Sequence, residues 1–240
     1  MQLWRFLSPS ALGFTLKTTS QALIDKIKGA PVRPVQVAKY VAQHAKPDDP
    51  EDVLRTIDHF ARHERWLMNI GPEKGPLIQE LALRLPGNAR VLELGAYCGY
   101  SSIMIANTMG PEAQITSIEI SQDSVTSSRS NVDIAGLSQQ VTFLHGPSTE
   151  VITTLEGHFD LVFLDHWKDL YKTDLQLIEQ RGLIGPGSIV VADNVGKIFA
   201  PEPYLEYVRN CGHYDSENRP ASIEYTRVPD AVEISVYRSQ

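Results

Sequence analysis

Val91-Leu92-Glu93-Leu94-Gly95-Ala96-Tyr97-Cys98-Gly99-Tyr100-Ser101-Ser102 reads as a short apolar run, a turn with two glycines, and the opening of an apolar-periodic segment that continues through Ile103, Met104, Ile105 and Ala106. That is the pattern of a buried strand, a tight turn and the start of a helix. In an open α/β sheet, ligands sit outside the carboxyl ends of the strands, so Gly95 and its neighbours are the first place to look for a cofactor. The spacing is E-x-G-x-x-x-G, not the G-x-G-x-x-G that brings a backbone against a pyrophosphate. A nucleotide cofactor without a diphosphate, such as S-adenosylmethionine, suits it better. Read alone, the stretch also fits an ordinary strand–helix turn.

Outward from this turn the alternation is regular. Strands are predicted at 90–95, 114–119, 140–145, 159–165 and 187–192, with helices at 99–109, 122–135, 148–155, 169–181 and about 201–210 between and after them. The tail, 212–238, reads as two further strands, the second over Ala231 to Tyr237. Strands alternating with helices make a mainly parallel sheet with helices on both faces, and the strand pair adds an antiparallel edge. The prediction is therefore a seven-stranded α/β fold. Ahead of it, helical patterns run from Val35 to His44, through Val53, Ile57, Phe60 and Ala61, and over about 75–85.

At 240 residues, 42% hydrophobic and 21% charged, the chain can bury one sizeable core. We divide it into a leader, 1–34, and a single domain, 35–240. The leader carries a helical pattern around Ser20 to Lys28 and is expected to be a packing arm or flexible segment, with a targeting or membrane-surface role as the alternative. No apolar run reaches the length of a spanning helix, so stable membrane insertion is not expected. A net charge of -7 argues against nucleic acid as a partner. Cys98 and Cys211 are isolated, which excludes a C-x-x-C zinc site and fits a cytoplasmic protein with reduced thiols.

The strand ends carry acids. Glu93 lies at the first. Glu119 closes the second, twenty residues after Gly99, where an acid can accept both hydroxyls of a ribose. Acids also end such strands in proteins that bind nothing there. The fourth strand ends in Leu164-Asp165-His166-Trp167-Lys168 and the fifth in Ala192-Asp193-Asn194. Adjacent strands lie about 4.8 Å apart. If these two are neighbours, Asp165, Asp193 and the Asn194 amide converge, and two like charges at that distance call for a cation. Three hard oxygen ligands leave room in an octahedral Mg2+ shell for water and two substrate oxygens. The alternative is that one aspartate caps a helix. Lys168 follows Asp165 by about one helical turn and is the candidate general base, since a nearby cation favours neutral lysine. By pattern, a lone lysine is also simply a solvated one. Trp66 and Met68, just before Gly71 and Pro72, fit either a ligand mouth or core anchors, and periodicity favours the core.

Taken together, LELGAYCGYS, TSIEI, VFLDHWKDLY, VADNV and IEY, in that order, resemble the catechol O-methyltransferase family, and RWLMNIGPEKG resembles its substrate-side loop. The resemblance covers roughly 35–240 and implies a Rossmann-like methyltransferase fold. It implies S-adenosylmethionine and Mg2+ as cofactors, and a small catechol-type substrate methylated on one hydroxyl by a protein acting as a monomer. By resemblance, Asp165, Asp193 and Asn194 hold the metal, Lys168 takes the proton, and Glu224 binds the second hydroxyl. Met68, Asn69, Ile70, Glu93, Gly95, Tyr97, Ser101, Glu119, Ile120, Gly146, Ser148, Asp165, His166 and Trp167 line the cofactor site. Trp66, Met68, Trp167, Lys168, Asn194, Ile198 and Glu224 face the substrate. Two departures stand out. The loop after Asn194 is Val195-Gly196-Lys197-Ile198-Phe199-Ala200-Pro201, so a wall the family builds from proline falls to Ile198 or Phe199. The segment at Gly146 reads Gly146-Pro147-Ser148-Thr149, which leaves the adenine-side contact open. A larger ortho-diol substrate, and a cofactor-binding protein without catalysis, are the competing expectations.

Overall fold

The computed structural model describes Thr19 and residues 29–238. The helical pattern around Ser20 to Lys28 lies outside them. Three helices come first: α1 (Arg33–His44), α2 (Pro50–His63) and α3 (Gly71–Ala82). Strands and helices then alternate: β1 (Arg90–Leu94), α4 (Tyr100–Met109), β2 (Gln114–Glu119), α5 (Gln122–Ile134), β3 (Val141–His145), α6 (Ser148–Val151), β4 (Leu161–Leu164), α7 (Tyr171–Gln180), β5 (Ile189–Ala192) and α8 (Glu202–Asn210). The chain closes on β6 (Tyr214–Ser222) and β7 (Pro229–Tyr237).

The seven strands form one sheet in the order β3-β2-β1-β4-β5-β7-β6. β7 pairs antiparallel with β5 and with β6, while the other pairs are parallel. The expected architecture is the observed one. Successive residues of each strand serve opposite faces. Val91, Ile115 and Phe163 pack under α1 to α5, whereas Leu92, Ile118, Leu164 and Val190 pack against α7 and α8. Among the described residues no helix is long and apolar enough to cross a membrane.

The largest departure from the predicted elements is α3, which starts at Gly71 rather than near residue 75. Gly71 and Pro72 read as breakers, but a first-turn residue has no intrahelical N–H bond to lose, so proline is tolerated there. The predicted helix 148–155 is one turn of α-helix followed by a 3-10 turn at Ile152–Thr154. Lys168–Leu170 likewise forms a 3-10 turn ahead of α7. Similarly, α1 begins at Arg33 with Pro34 in its first turn.

Candidate active site

The sheet places the predicted groups at one edge. β4 and β5 are neighbours, with Leu164 opposite Ala192, so Asp165 and Asp193 each stand one residue beyond a paired position. The ladder runs on past the strands: Asp165 N–H donates to Leu94 O and Asp193 N–H to Leu164 O, each at 2.9 Å. The chain order reverses between β1 and β4, where a crevice opens at the carboxyl ends. Gly95, with φ +104, lies so close to β4 that a Cβ there would stand 2.6 Å from the Asp165 carbonyl oxygen. The glycine turn and the Asp165 strand end are thus one structure.

Asp193 and Asn194 are each only 1% exposed. Lys74 Nζ donates to Asp193 Oδ1 at 2.5 Å. Lys74 also pairs with Glu224 and, at 3.0 Å, with Asp230 Oδ2. The Asn194 amide donates Nδ2 to Asp230 Oδ2 at 2.9 Å and to Glu224 Oε1 at 3.3 Å. The opposite atoms, Asp193 Oδ2, Asn194 Oδ1 and Glu224 Oε2, are buried and have no hydrogen-bond partner among the described residues. Buried oxygens are rarely left so. Oxygens of Asp193, Glu224 and Asp230 lie within 4.8 Å of one another, which by distance alone suits a metal, but the Lys74 ammonium fills that position. The unpartnered oxygens of Asp193 and Asn194, with Asp165 beside them, are the set that fits a cation. Charge agrees: Asp165, Asp193, Glu224 and Asp230 face Lys74 and Lys168, leaving two negative charges for a divalent ion. Burial pushes the Asp165 carboxyl well up, with Asp193 adding to it against the pull of Lys168. Burial also raises Glu224, and Lys74 offsets it only in part. Burial would lower Lys74, but the three carboxylates around it hold its charged form above the ordinary lysine range.

Lys168 Nζ lies 3.4 Å from Asp165 Oδ1 and 3.3 Å from His166 O, half-buried over the Tyr171 ring. The Glu224 carbonyl accepts the Trp66 indole N–H at 2.8 Å. Tyr225, next in sequence, has φ 58 and donates its hydroxyl to Asp58 Oδ1 on α2 at 2.8 Å. Trp66, Ile198 and Phe199 pack together over Ile223 and Val228, apart from the main core. Trp66 is therefore not the core anchor its periodicity favours, and both candidate wall residues adjoin it.

On the other side of Asp165, Glu119 accepts the Tyr97 N–H at 3.0 Å and the Ser121 N–H at 2.8 Å, tying the ends of β1 and β2. Tyr97 has φ 50, and burial raises its phenol above the usual range. Glu93 is fully buried and its carboxylate accepts from the hydroxyls of Ser101, Ser102 and Ser117. It underpins the glycine turn and meets the crevice through Ser101. Ser148 Oγ and His166 Nε2 converge on Asp174 Oδ2, at 2.6 and 2.7 Å. Gly146 follows β3, its N–H bonded to Glu119 O at 3.0 Å. Asn69 and Ile70 are buried at the start of α3, beside half-buried Met68. Ile120 and Trp167 are exposed, at 69% and 72%, where they can cover a ligand.

Three residues of this centre were not foreseen: Lys74, Asp174 and Asp230. Lys74 had a signal. Gly71, Lys74, Gly75 and Ile78 form one buried stripe of α3 at helical spacing, which places a lysine in an apolar row. Starting the helix at residue 75 hides it.

The α/β sheet thus gathers a glycine turn, a set of buried carboxylate and amide oxygens and a lysine at one edge, an arrangement that suits group transfer. The O-methyltransferase family profile matches residues 45–208, and the chain belongs to that family. Its similar curated relatives include catechol O-methyltransferase B of Danio rerio, 42% identical over 210 residues, spanning 85% of this chain and 79% of the relative. The catechol O-methyltransferase of Mus musculus is 38% identical over 208 residues, 85% of this chain and 78% of its own. Among solved structures, the O-methyltransferase from Bacillus cereus shares the fold, with a TM-score of 0.66 at 21% identity, over 85% of this chain and 97% of that one.

Proposed function

We propose that the protein moves the methyl group of S-adenosylmethionine to one hydroxyl of a vicinal diphenol, with Asp165, Asp193 and Asn194 holding a divalent cation, Mg2+. The observation that carries this is the group of buried, unpartnered oxygens on Asp193, Asn194 and Glu224, one strand along the sheet edge from Asp165 and the Lys168 it contacts. The catechol named in the relatives' activity fits it, because a diphenol offers two adjacent oxygens. When bound, the cation would supply Lewis acidity that lowers a hydroxyl's pKa, and the sulfonium donor would supply an activated methyl. Lys168 Nζ takes the proton of the reacting hydroxyl. Glu224 Oε2 accepts the hydrogen bond of the second. Trp66, with Ile198 or Phe199, flanks the ring. Glu119 holds the ribose, and Met68, Asn69, Ile70, Gly95, Tyr97, Ser101, Ile120, Gly146, Ser148, His166 and Trp167 surround the donor, with Glu93 behind Ser101. Much of the rate then comes from alignment of nucleophile and carbon on a rigid strand-end platform.

The apolar cluster of Trp66, Ile198 and Phe199 favours a second reading on substrate size, a larger ortho-diol such as a phenylpropanoid thioester or polyketide. We place the activity in residues 35–240, in the cytoplasm, in a monomer acting on small molecules rather than nucleic acid. The net charge of -7 and two free thiols support that. A radiolabelled-methyl assay over simple catechols, larger ortho-diols and monophenols, with and without Mg2+, tests the proposal. Turnover of diphenols only, and only with metal, is expected. Absence of turnover on every diphenol overturns it.

A further inference from the structure

Four carboxylates meet at this edge of the sheet, and the cation proposed above accounts for only part of them. Asp165, Asp193 and Asn194 turn toward the crevice. Behind them, Asp193 Oδ1, Glu224 Oε1 and Asp230 Oδ2 enclose the Lys74 ammonium. These oxygens lie no more than 4.8 Å apart, and a small contraction would bring them to metal–oxygen distance around an ion. The side chain of Lys74 is itself 0% exposed, so this is a cage and not a surface ion pair. Asp193 faces both positions, one oxygen toward each. Centres in which a carboxylate bridges two cations about 3.5–4 Å apart are a common solution to group transfer. Here the rear position is filled by the chain's own charge.

We propose that Lys74 is a built-in counter-ion occupying the second cation position of a four-carboxylate centre, so that the protein takes up one divalent ion and not two. The inference rests on the reading that Asp165, Asp193 and Asn194 hold the first. Physically, Lys74 does two things. It offsets part of the repulsion that three buried carboxylates would exert on one another when no metal is bound. It also holds one oxygen each of Asp193 and Glu224, which leaves Asp193 Oδ2 and Glu224 Oε2 buried without a hydrogen-bond partner among the described residues. Lys74 is thus a positioning residue, acting through Asp193 and Glu224.

The test is a count of metal ions. The full chain, freed of metal, is titrated with MnCl2 while free Mn2+ is followed by electron paramagnetic resonance. Wild type and Lys74→Arg are expected to bind one equivalent, and Lys74→Ala two, the second entering the opened cage. A lysine that is merely structural would lower the melting temperature of Lys74→Ala and leave the count at one, which overturns the proposal. Two equivalents on wild type overturn it as well. No saturable binding on wild type overturns the metal reading itself, and this inference with it. If Lys74→Ala fails to fold, Lys74→Ser, which keeps all three carboxylates, carries the same count, and a value of one again refutes the idea.

Discussion

Lys168 is held by two weak tethers, Asp165 Oδ1 at 3.4 Å and His166 O at 3.3 Å, so its Nζ can leave the carboxylate and, as the neutral amine, take a substrate proton. Lys168→Ala is expected to lower kcat roughly a hundred- to ten-thousand-fold at neutral pH, the usual worth of a general base, with the affinity for S-adenosylmethionine retained. Steady-state kinetics with a separate binding isotherm for the donor would show whether the loss is confined to turnover. The oxygens around Lys168 differ in how far they could be foreseen. Asp165, Asp193 and Asn194 are legible in the chain because they stand directly after runs of apolar residues that, between helical segments, read as buried strands. Asp174 and Asp230 carry no such mark. Asp174 sits inside an amphipathic helix and Asp230 near the start of β7, and only the tertiary fold aims them at Ser148, His166 and Asn194.

Two connections between elements bear the site. One is the turn from β1 to α4. A methyl at Gly95 would meet the Asp165 carbonyl at 2.6 Å, in a backbone conformation that disfavours any side chain. Gly95→Ala is expected to cost about 1–3 kcal/mol of stability, the range for strain of this kind, and to weaken S-adenosylmethionine binding. Urea denaturation and donor titration would measure both. The second connection is the loop from β6 to β7, fastened to α2 through the Tyr225 hydroxyl and Asp58. Tyr225→Phe removes the bond to Asp58 Oδ1 and leaves Asp58, among the described residues, with the longer bond from Tyr100 at 3.3 Å. It should destabilise the fold by about 1 kcal/mol and raise the KM for the diphenol more than that for the donor. Equal changes in the two KM values would rule out a link between Asp58 and the Glu224 side. The order of strands and helices from residue 90 was readable from periodicity alone. The start of α3 was not, because glycine and proline tolerated in a first turn look the same in sequence as glycine and proline that end a helix.

At the scale of the molecule, the sheet order sets the division of labour. The chain reverses between β1 and β4, so the donor-side turn of β1 and the acid-bearing ends of β4 and β5 share one edge. Chelation with EDTA is expected to abolish methyl transfer, and added Mg2+ to restore it. The circular dichroism spectrum should stay unchanged meanwhile, since Lys74 pairs with Asp193, Glu224 and Asp230 without the ion. Activity persisting in excess EDTA would remove the metal from the mechanism. Tyr97, Asn194 and Tyr225 all hold left-handed backbone without being glycine, at φ 50, 53 and 58, and all three lie around this edge. Such residues hold conformational free energy that a glycine would release. For anyone evolving a heat-resistant variant, this strain cannot be removed by glycine alone. Glycine at Tyr97 or Tyr225 would relieve it but delete a ring packed against the core, and at Tyr225 the hydrogen bond to Asp58 as well, so the loss outweighs the relief.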